Sequence, residues 1–597
     1  MTESCNIAAA LPRLAAERPD QVAMRCPGRG GRYDIALSYA QLDARTDAIA
    51  AGLAKRGVAR GVRTVVMVRP TPEFFLLMFA LFKAGAVPVL VDPGIDKRAL
   101  KRCLDEVEPQ AFIGIPLAHA ARVLLRWARH AGIHITTGRH AWLADATLAE
   151  IEDEGLGAGP QLQDTAGDDI AAILFTSGST GVPKGVVYRH RHFVAQVDML
   201  RAAFGIDPGG IDLPTFPPFA LFDPALGLTS IIPDMDPTRP ARANPRKLLR
   251  AIERFGVTQL FGSPALMRVL ADHGERLPTL ERVTSAGAPV PADVVERMRA
   301  LLPGDAQFWT PYGATECLPV AVIEGGELVG LRERTETGAG TCVGRPVPPN
   351  EVRIIGISDE AIDTWSDALL VKGGQVGEIT VAGPSTTDSY FNRDEQTRLA
   401  KIRELRSATA STAQDATREC PDTQADEGAP TEPLSPLRER GRGEEANAAS
   451  ATSAERIVHR MGDLGYFDRE GRLWFCGRKS QRVATANGTL CTEQVEPVYN
   501  QHPDVLRTAL VGVGTRGTET AVLCVELRQG IDKAQWPRVE SELRHLGEGH
   551  VHTAKVEHFL HYPEPFPVDI RHNAKIRREQ LGRWAKKRLR KQGAAWS

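Results

Sequence analysis

The chain has no apolar run long enough to cross a membrane, since no window approaches about 18 uninterrupted apolar residues. It has no Cys-x-x-Cys pair, and its nine cysteines are scattered. That pattern argues against a disulfide framework or a zinc site and fits a reducing, cytoplasmic setting. Each cysteine reads most simply as a small buried apolar residue. The chain also has no charge of one sign in excess: 73 Lys and Arg stand against 74 Asp and Glu, a net −1. No global field therefore favours nucleic acid. The N-terminal stretch MTESCNIAAALPRLAAERPD carries an acid at Glu3 and lacks an apolar core, so it does not read as a signal peptide.

What is present is a long, ordinary globular composition. The 597 residues are 42% hydrophobic and 25% charged, which predicts several domains. Strand and helix patterns alternate from the start. Leu37–Leu42 opens a strand-to-helix unit, 62–68 (VRTVVMV) is a buried strand, Glu73–Ala84 is apolar nearly all round, and 87–91 (VPVLV) is the next strand, ended by Asp92-Pro93-Gly94. Near-continuous apolar strands between helices imply a parallel, helix-covered sheet. A second α/β stretch runs from Val186 to about Ile323, and a strand-rich region begins at Gly377-Glu378-Ile379-Thr380-Val381. From Gly477 onward the chain reads as a compact α+β unit of about 120 residues. The predicted division is a large domain over 1–476 and a small cap over 477–597. Within the first, 403–455 is rich in Ala, Thr, Ser, Glu, Arg and Pro. It buries too little apolar surface to offset its ordering entropy and reads as a disordered insertion, or as a docking tail.

One decapeptide carries the most chemistry. Thr176-Ser177-Gly178-Ser179-Thr180-Gly181-Val182-Pro183-Lys184-Gly185 follows the apolar strand IAAILF and precedes another, Val186-Val187-Tyr188. Glycines let backbone N–H groups approach an oxyanion, hydroxyls add donors, and Lys184 adds a cation. The order differs from the common P-loop, which needs Gly-Lys-Ser/Thr. Pro311-Tyr312-Gly313-Ala314-Thr315-Glu316 is the second motif. Its ring suits a flat base, its hydroxyl a phosphate oxygen and its carboxylate a magnesium ion. Alone, it also fits a turn entering a capped helix. Ser285-Ala286-Gly287-Ala288-Pro289 suits a base sliding against backbone, or a plain strand-to-helix turn. Gly462-Asp463-Leu464-Gly465-Tyr466 reads as a tight turn with an exposed aspartate suited to ribose hydroxyls. Asn573-Ala574-Lys575-Ile576-Arg577-Arg578 lies in a basic tail, where Lys575 is also readable as a solvated charge. The following helix carries Leu581, Trp584 and Leu589 among cations, the pattern of a plain solvated helix or of one that brushes an anionic membrane.

In that order these motifs resemble those of the adenylate-forming superfamily of acyl-CoA synthetases, luciferases and adenylation domains. The resemblance covers nearly the whole chain outside the insertion. It implies an α/β fold: a large domain of helix-covered, mostly parallel sheets, a smaller strand-rich subdomain and a mobile α+β cap. It implies ATP and Mg²⁺. Thr176, Ser177, Gly178, Ser179, Thr180, Gly181 and Lys184 would hold the phosphates. Gly287, Ala288, Pro289, Tyr312, Gly313 and Ala314 would line the adenine. Thr315 would touch phosphate and Glu316 would coordinate magnesium. Asp463 would hold the ribose, Arg478 the ribose or phosphate, and Lys479 would be the hinge. Lys575 would swing over the site to balance charge built up during adenylation; Glu316, Thr176 and Lys184 complete the catalytic set.

A narrower resemblance rests on Pro233–Pro240, Phe261–Leu266, Val283–Pro289, Phe308–Val320, Leu473–Lys479 and Phe566–Lys575. These look like the β-lactone synthetases of bacterial long-chain olefin biosynthesis. The implied substrate is a long-chain 2-alkyl-3-hydroxyalkanoic acid. It is activated as an acyl adenylate and closed by its own 3-hydroxyl to a β-lactone. The implied pathway partners are a thiolase, a dehydrogenase and a β-lactone decarboxylase. The implied pocket includes Phe219, Ala220, Phe222, Phe261 and Leu318, with Ala220 standing where acyl-CoA ligases usually carry the histidine of a Phe-His pair. Alternatives are a long-chain fatty acyl-CoA synthetase, with 484–489 shaping a thiol tunnel, a nucleotide-binding protein without turnover, and a carrier-protein loading enzyme.

Overall fold

A computed structural model describes residues 5–91, 95–176, 183–406, 454–568 and 576–591, with the backbone alone at Arg29, Thr176, Arg406 and Ala454. Two large sheets and a smaller C-terminal one carry the described chain. In the seven-stranded sheet, Arg63–Met67 lies between Val87–Val91 and Ala111–Gly114, all parallel. Ile170–Thr176 joins on the far side of Val87–Val91, and Lys184–Arg189 closes that edge antiparallel. The helix Pro72–Lys83 explains the apolar strands: every residue in it except Glu73 is buried, against side chains such as Met24 and Val66. Its last residue, Lys83, is buried as a cation and held by Asp43 Oδ1 and Asp47 Oδ1, each at 2.6 Å, as a buried charge requires.

The fourteen-stranded sheet has two characters. Val22–Cys26, Thr229–Ile231, Ile211–Pro214, Gln259–Gly262, Arg282–Ser285 and Gln307–Ala314 are parallel neighbours. From Cys317–Glu324 onward the ladder is antiparallel, through Thr341–Pro346, Leu473–Arg478, Ala454–Phe467 and Gly377–Ala382 to Glu351–Ile355. This is the expected architecture of mostly parallel, helix-covered sheets joined to a strand-rich part. Seven cysteines, Cys26, Cys103, Cys317, Cys342, Cys476, Cys491 and Cys524, are buried at points spread over the fold. The expected insertion bounds need correction. Lys401–Arg406 pairs with the start of Ala454–Phe467, ending at Arg406 opposite Ala454, so 403–406 and 454–455 belong to a hairpin. Residues 407–453 lie outside the described residues.

The C-terminal unit sets Val505–Val513, Thr520–Leu527 and His558–His561 in one sheet, with the helices Thr492–Tyr499, Trp536–Glu548 and Arg578–Lys591 around it. Leu581, Ala585 and Leu589 are buried against Val511, Val522 and Cys524, and Trp584 packs edge-on to Tyr562. The apolar stripe of the last helix is therefore core, and the membrane-brushing alternative falls. Among the described residues no helix is long and apolar enough to cross a membrane. Leu581→Ala should cost about 2–5 kcal/mol, because a fully buried leucine loses its transfer free energy and leaves a cavity. Thermal unfolding of that variant, followed by C-terminal tryptophan fluorescence, measures the loss.

Candidate active site

Three hairpins bring distant parts of the sequence to one place. The first is the pair Ile170–Thr176 and Lys184–Arg189, whose ladder ends with Thr176 opposite Lys184. The glycine-rich segment connects these two paired strands in sequence. Ser177, Gly178, Ser179, Thr180 and Gly181 lie outside the described residues, as does the side chain of Thr176. Lys184 is described: its Nζ sits 4.7 Å from the ring centre of Tyr390, in cation–π range. Burial lowers the pKa of this ammonium, and Glu316 opposes that shift.

The second hairpin joins Gln307–Ala314 to Cys317–Glu324, with Ala314 opposite Cys317. Thr315 and Glu316 are its two tip residues, so the motif is a β-turn and not the start of a helix. The turn is fixed from outside. Tyr188 Oη donates to the Thr315 carbonyl at 2.5 Å. The Glu316 carbonyl accepts both the N–H and the hydroxyl of Thr387, at 2.9 and 3.0 Å. The Glu316 carboxylate accepts from Tyr390 Oη at 2.6 Å through Oε1. A Cβ on Gly313 would stand 2.9 Å from the Cys317 carbonyl, so only glycine allows the strands to approach this closely.

The third hairpin places Asp463 opposite Arg478. Asp463 is not the exposed turn residue expected. It lies within the strand Ala454–Phe467 and is 2% exposed, because two partners replace its solvent. Tyr312 Oη donates to Oδ2 at 2.6 Å, and Arg478 Nη1 lies 2.8 Å from Oδ1. Oδ1 is thus ion-paired to the guanidinium, while Oδ2 accepts the tyrosine hydroxyl. Burial raises the Asp463 pKa and Arg478 opposes the rise. Gly287 adopts φ +98° with open space where a Cβ would be, as suits a backbone wall against a flat group.

All of these face one cavity of about 3500 Å³. Lys184, Gly287, Ala288, Pro289, Tyr312, Gly313, Ala314, Thr315, Glu316, Asp463, Arg478 and Lys479 line it together. The position matches the general rule that ligands sit beyond the carboxyl ends of parallel strands. Phe219, Phe222, Phe261 and Leu318 line an apolar part of the same space, with Phe219 edge-on to Phe261 at 4.4 Å. Ala220 differs from the expectation. It is 1% exposed and packed into the core, because the short turn Pro217–Leu221 directs its neighbours outward and Ala220 inward. Lys575 lies outside the described residues; next to it, Ile576 bridges Val568. The expected hinge, Lys479, is tied to the large domain, donating to the Ser358 carbonyl at 2.9 Å and pairing with the buried Glu378 at 2.8 Å. Glu378 also binds Arg460 Nη2 at 2.7 Å.

Sequence reasoning missed Tyr390, Thr387 and Lys401. Lys401 is 6% exposed and donates through Nζ to the carbonyl and the hydroxyl of Thr387, the residue that clamps the Glu316 turn. Its Nζ also lies 6.0 Å from the Tyr390 ring centre. Burial pushes its pKa down to about 8, against the pull of Glu316, Cys317 and Asp388. In Leu399-Ala400-Lys401-Ile402 the lysine is a lone charge among apolar residues, with no strand periodicity to place it inside.

With the geometry in view, the comparisons are consistent. Residues 11–391 match the family described as AMP-binding enzyme. The chain belongs to that family, the adenylate-forming enzymes. Over 591 residues it is 65% identical to the olefin β-lactone synthetase of Xanthomonas campestris pv. campestris, with 98% of each chain covered. It is 61% identical to the olefin β-lactone synthetase of Stenotrophomonas maltophilia, over 99% of this chain and all of that one. Among solved structures, the amide bond synthetase McbA of Marinactinospora thermotolerans superposes with a TM-score of 0.69 at 22% identity, covering 97% of this chain and 99% of that one. ATP-bound MatB of Rhodopseudomonas palustris gives 0.69 at 19%, covering 98% and 99%. At these identities the two structures establish the fold alone.

Lys401→Met should lower the rate of acyl-adenylate formation by up to roughly 100-fold, the scale of a small misplacement of reacting groups. The wild-type rate should fall as pH rises through about 8, where Lys401 loses its proton. The variant should lack that alkaline limb. Pyrophosphate release measured across pH checks both.

Proposed function

We propose that the chain activates a long-chain 2-alkyl-3-hydroxyalkanoic acid with ATP and closes the adenylate to a β-lactone. The observation that carries this reading is the meeting of polar hairpin tips and an apolar phenylalanine wall in one cavity. The likeness along nearly the full chain to olefin β-lactone synthetases supports it.

In this reading the loop 176–181 and Lys184 hold the triphosphate, and the backbone at Gly287, Ala288 and Pro289 flanks the purine with Tyr312, Gly313 and Ala314. The Asp463 carboxylate takes a ribose hydroxyl, beside Arg478. Thr315 contacts phosphate. Among the described residues no cluster of three or more His, Cys, Asp or Glu is placed to hold a metal alone. A single carboxylate at a rigid turn fits magnesium instead, because that ion keeps several waters and arrives with phosphates. Glu316 is that carboxylate, oriented by Tyr390, and the ion would supply charge neutralisation of the phosphates.

The substrate carboxylate oxygen bonds to the α-phosphorus and the α–β phosphoanhydride bond breaks, releasing pyrophosphate. Lys575 balances the charge on the entering carboxylate and α-phosphate. The 3-hydroxyl oxygen then bonds to the acyl carbon, the acyl–oxygen bond to AMP breaks, and the hydroxyl proton leaves with the phosphate of AMP. Tethering of the nucleophile to the electrophile gives this step a high effective concentration. An apolar wall limits water, which would otherwise hydrolyse the mixed anhydride.

Incubation of the protein with a synthetic 2-alkyl-3-hydroxy acid, ATP and magnesium should yield β-lactone and AMP, with the same yield when CoA is added. Release of thioester on adding CoA, with no lactone, would establish the acyl-CoA synthetase reading instead. Lys575→Ala should slow adenylation roughly 100-fold or more, the scale for losing a group aimed at transition-state charge. Unchanged pyrophosphate release in that variant would remove Lys575 from the chemistry.

A further inference from the structure

The described surface carries one apolar patch that the fold does not explain. The helix Pro116–Leu125 is anchored by its inner side: Ala118 and His119 are buried, and His119 Nε2 bonds the Ile135 carbonyl at 3.0 Å. Its outer side has no polar residue to show. Leu117 is 70% exposed, Val123 51% and Leu124 82%. The segment 138–143 runs alongside, because a Cβ on Gly138 would touch Pro116 and Arg122 Nη2 donates to the Leu143 carbonyl at 2.9 Å. That segment adds Trp142, 63% exposed, and Leu143. Exposed tryptophan and leucine on one surface are the composition of an interfacial anchor.

The rim of the patch is basic in a chain whose net charge is −1. No Asp or Glu occurs from 109 to 144. The exposed cations between 95 and 145 are Lys97, Arg98, Arg102, Arg126, Arg129 and Arg139. The exposed acids between 95 and 145 are Asp96, Glu108 and Asp145, and Asp96 is engaged as the cap of the helix Lys97–Val107. Lys101 ties that helix to the corner by donating to the Arg126 carbonyl at 3.2 Å.

The place of the patch matters as much as its composition. Leu100, Ile115, Leu117, Ala118, Ala121 and Trp127 line the cavity described above, so the cavity reaches the gap between the two helices. Leu117 is at once cavity wall and exposed surface, and so marks the rim.

We propose that this face, formed by the helices Lys97–Val107 and Pro116–Leu125 with Trp142, docks on an anionic lipid surface and turns the apolar end of the cavity toward the acyl chains. Leu124 and Trp142 enter the interface, and the exposed arginines Arg98, Arg102, Arg126, Arg129 and Arg139 pair with lipid phosphates. A long-chain acid then passes from lipid to cavity without crossing water. The purpose of the docking rests on the apolar acid of the proposed function. Vesicle binding needs no turnover, so failure of one leaves the other standing.

The test is flotation of the full chain with phosphatidylcholine vesicles and with mixed phosphatidylcholine–phosphatidylglycerol vesicles. The chain should float with the mixed vesicles at an ionic strength of about 0.1 M, far less with phosphatidylcholine alone, and be released at about 0.5 M. Leu124→Ser combined with Trp142→Ser should reduce the bound fraction about tenfold, by removing apolar area from the interface. Arg98→Ser with Arg102→Ser should reduce it about 25-fold, at roughly fivefold per cation. Lys587→Ser with Arg590→Ser, on the exposed side of the C-terminal helix, should leave binding unchanged. Equal loss in that control, absence of wild-type flotation, or a wild-type dimer that Leu124→Ser dissolves would each overturn the proposal.

Discussion

The buried carboxylate of Asp463 is the constraint on which the rest of the site depends. Removing a charge from water is costly unless partners replace the solvent. Here the partners come from two other segments, Tyr312 at a parallel strand's end and Arg478 across the antiparallel ladder. Their pairing ties the two halves of the long sheet at one point. The Glu316 turn follows directly after Tyr312 on the same hairpin, and Tyr390 and Thr387 hold it from the other side. Loss of the Asp463 contacts would leave an uncompensated charge and loosen every hairpin tip that lines the cavity.

A second constraint is the placing of two lysines at those tips, Lys184 half-buried and Lys401 buried. Lys184 and Lys401 both face the ring of Tyr390, and burial lowers the pKa of each. Their charge is retained by nearby carboxylates, chiefly Glu316. The site is thus a balanced set of buried charges arranged around an opening, suited to a ligand that brings its own negative charge and its own counter-ion.

Much of this was legible in the sequence because the motifs sit at strand ends, where apolar runs stop and glycine, hydroxyl or acidic residues begin. The apolar run 170–175 and the aromatic pair Phe308-Trp309 announce their strands, and the motifs follow at once. What stayed hidden depends on long-range pairing. Asp463 reads as a turn residue from Gly462 and Gly465, yet its strand continues through both, because Gly377–Ala382 and Leu473–Arg478 pair on either side. Lys401 lies beside a segment too polar to pack, and only the ladder with Ala454–Phe467 shows that the lysine is inside. Ala220 shows the same limit in reverse. Its neighbours in sequence face the cavity while it faces the core, a distinction that one turn of 3₁₀ helix makes and composition does not.

The order of bond changes is the central chemical claim, and isotope transfer tests it most directly. The substrate acid is prepared with both carboxyl oxygens as ¹⁸O and converted with unlabelled ATP. Activation at the carboxylate followed by attack of the 3-hydroxyl on the acyl carbon predicts one ¹⁸O in AMP and one in the lactone. AMP without label and a lactone that keeps both would mean that the hydroxyl, not the carboxylate, is adenylated, and would contradict the account.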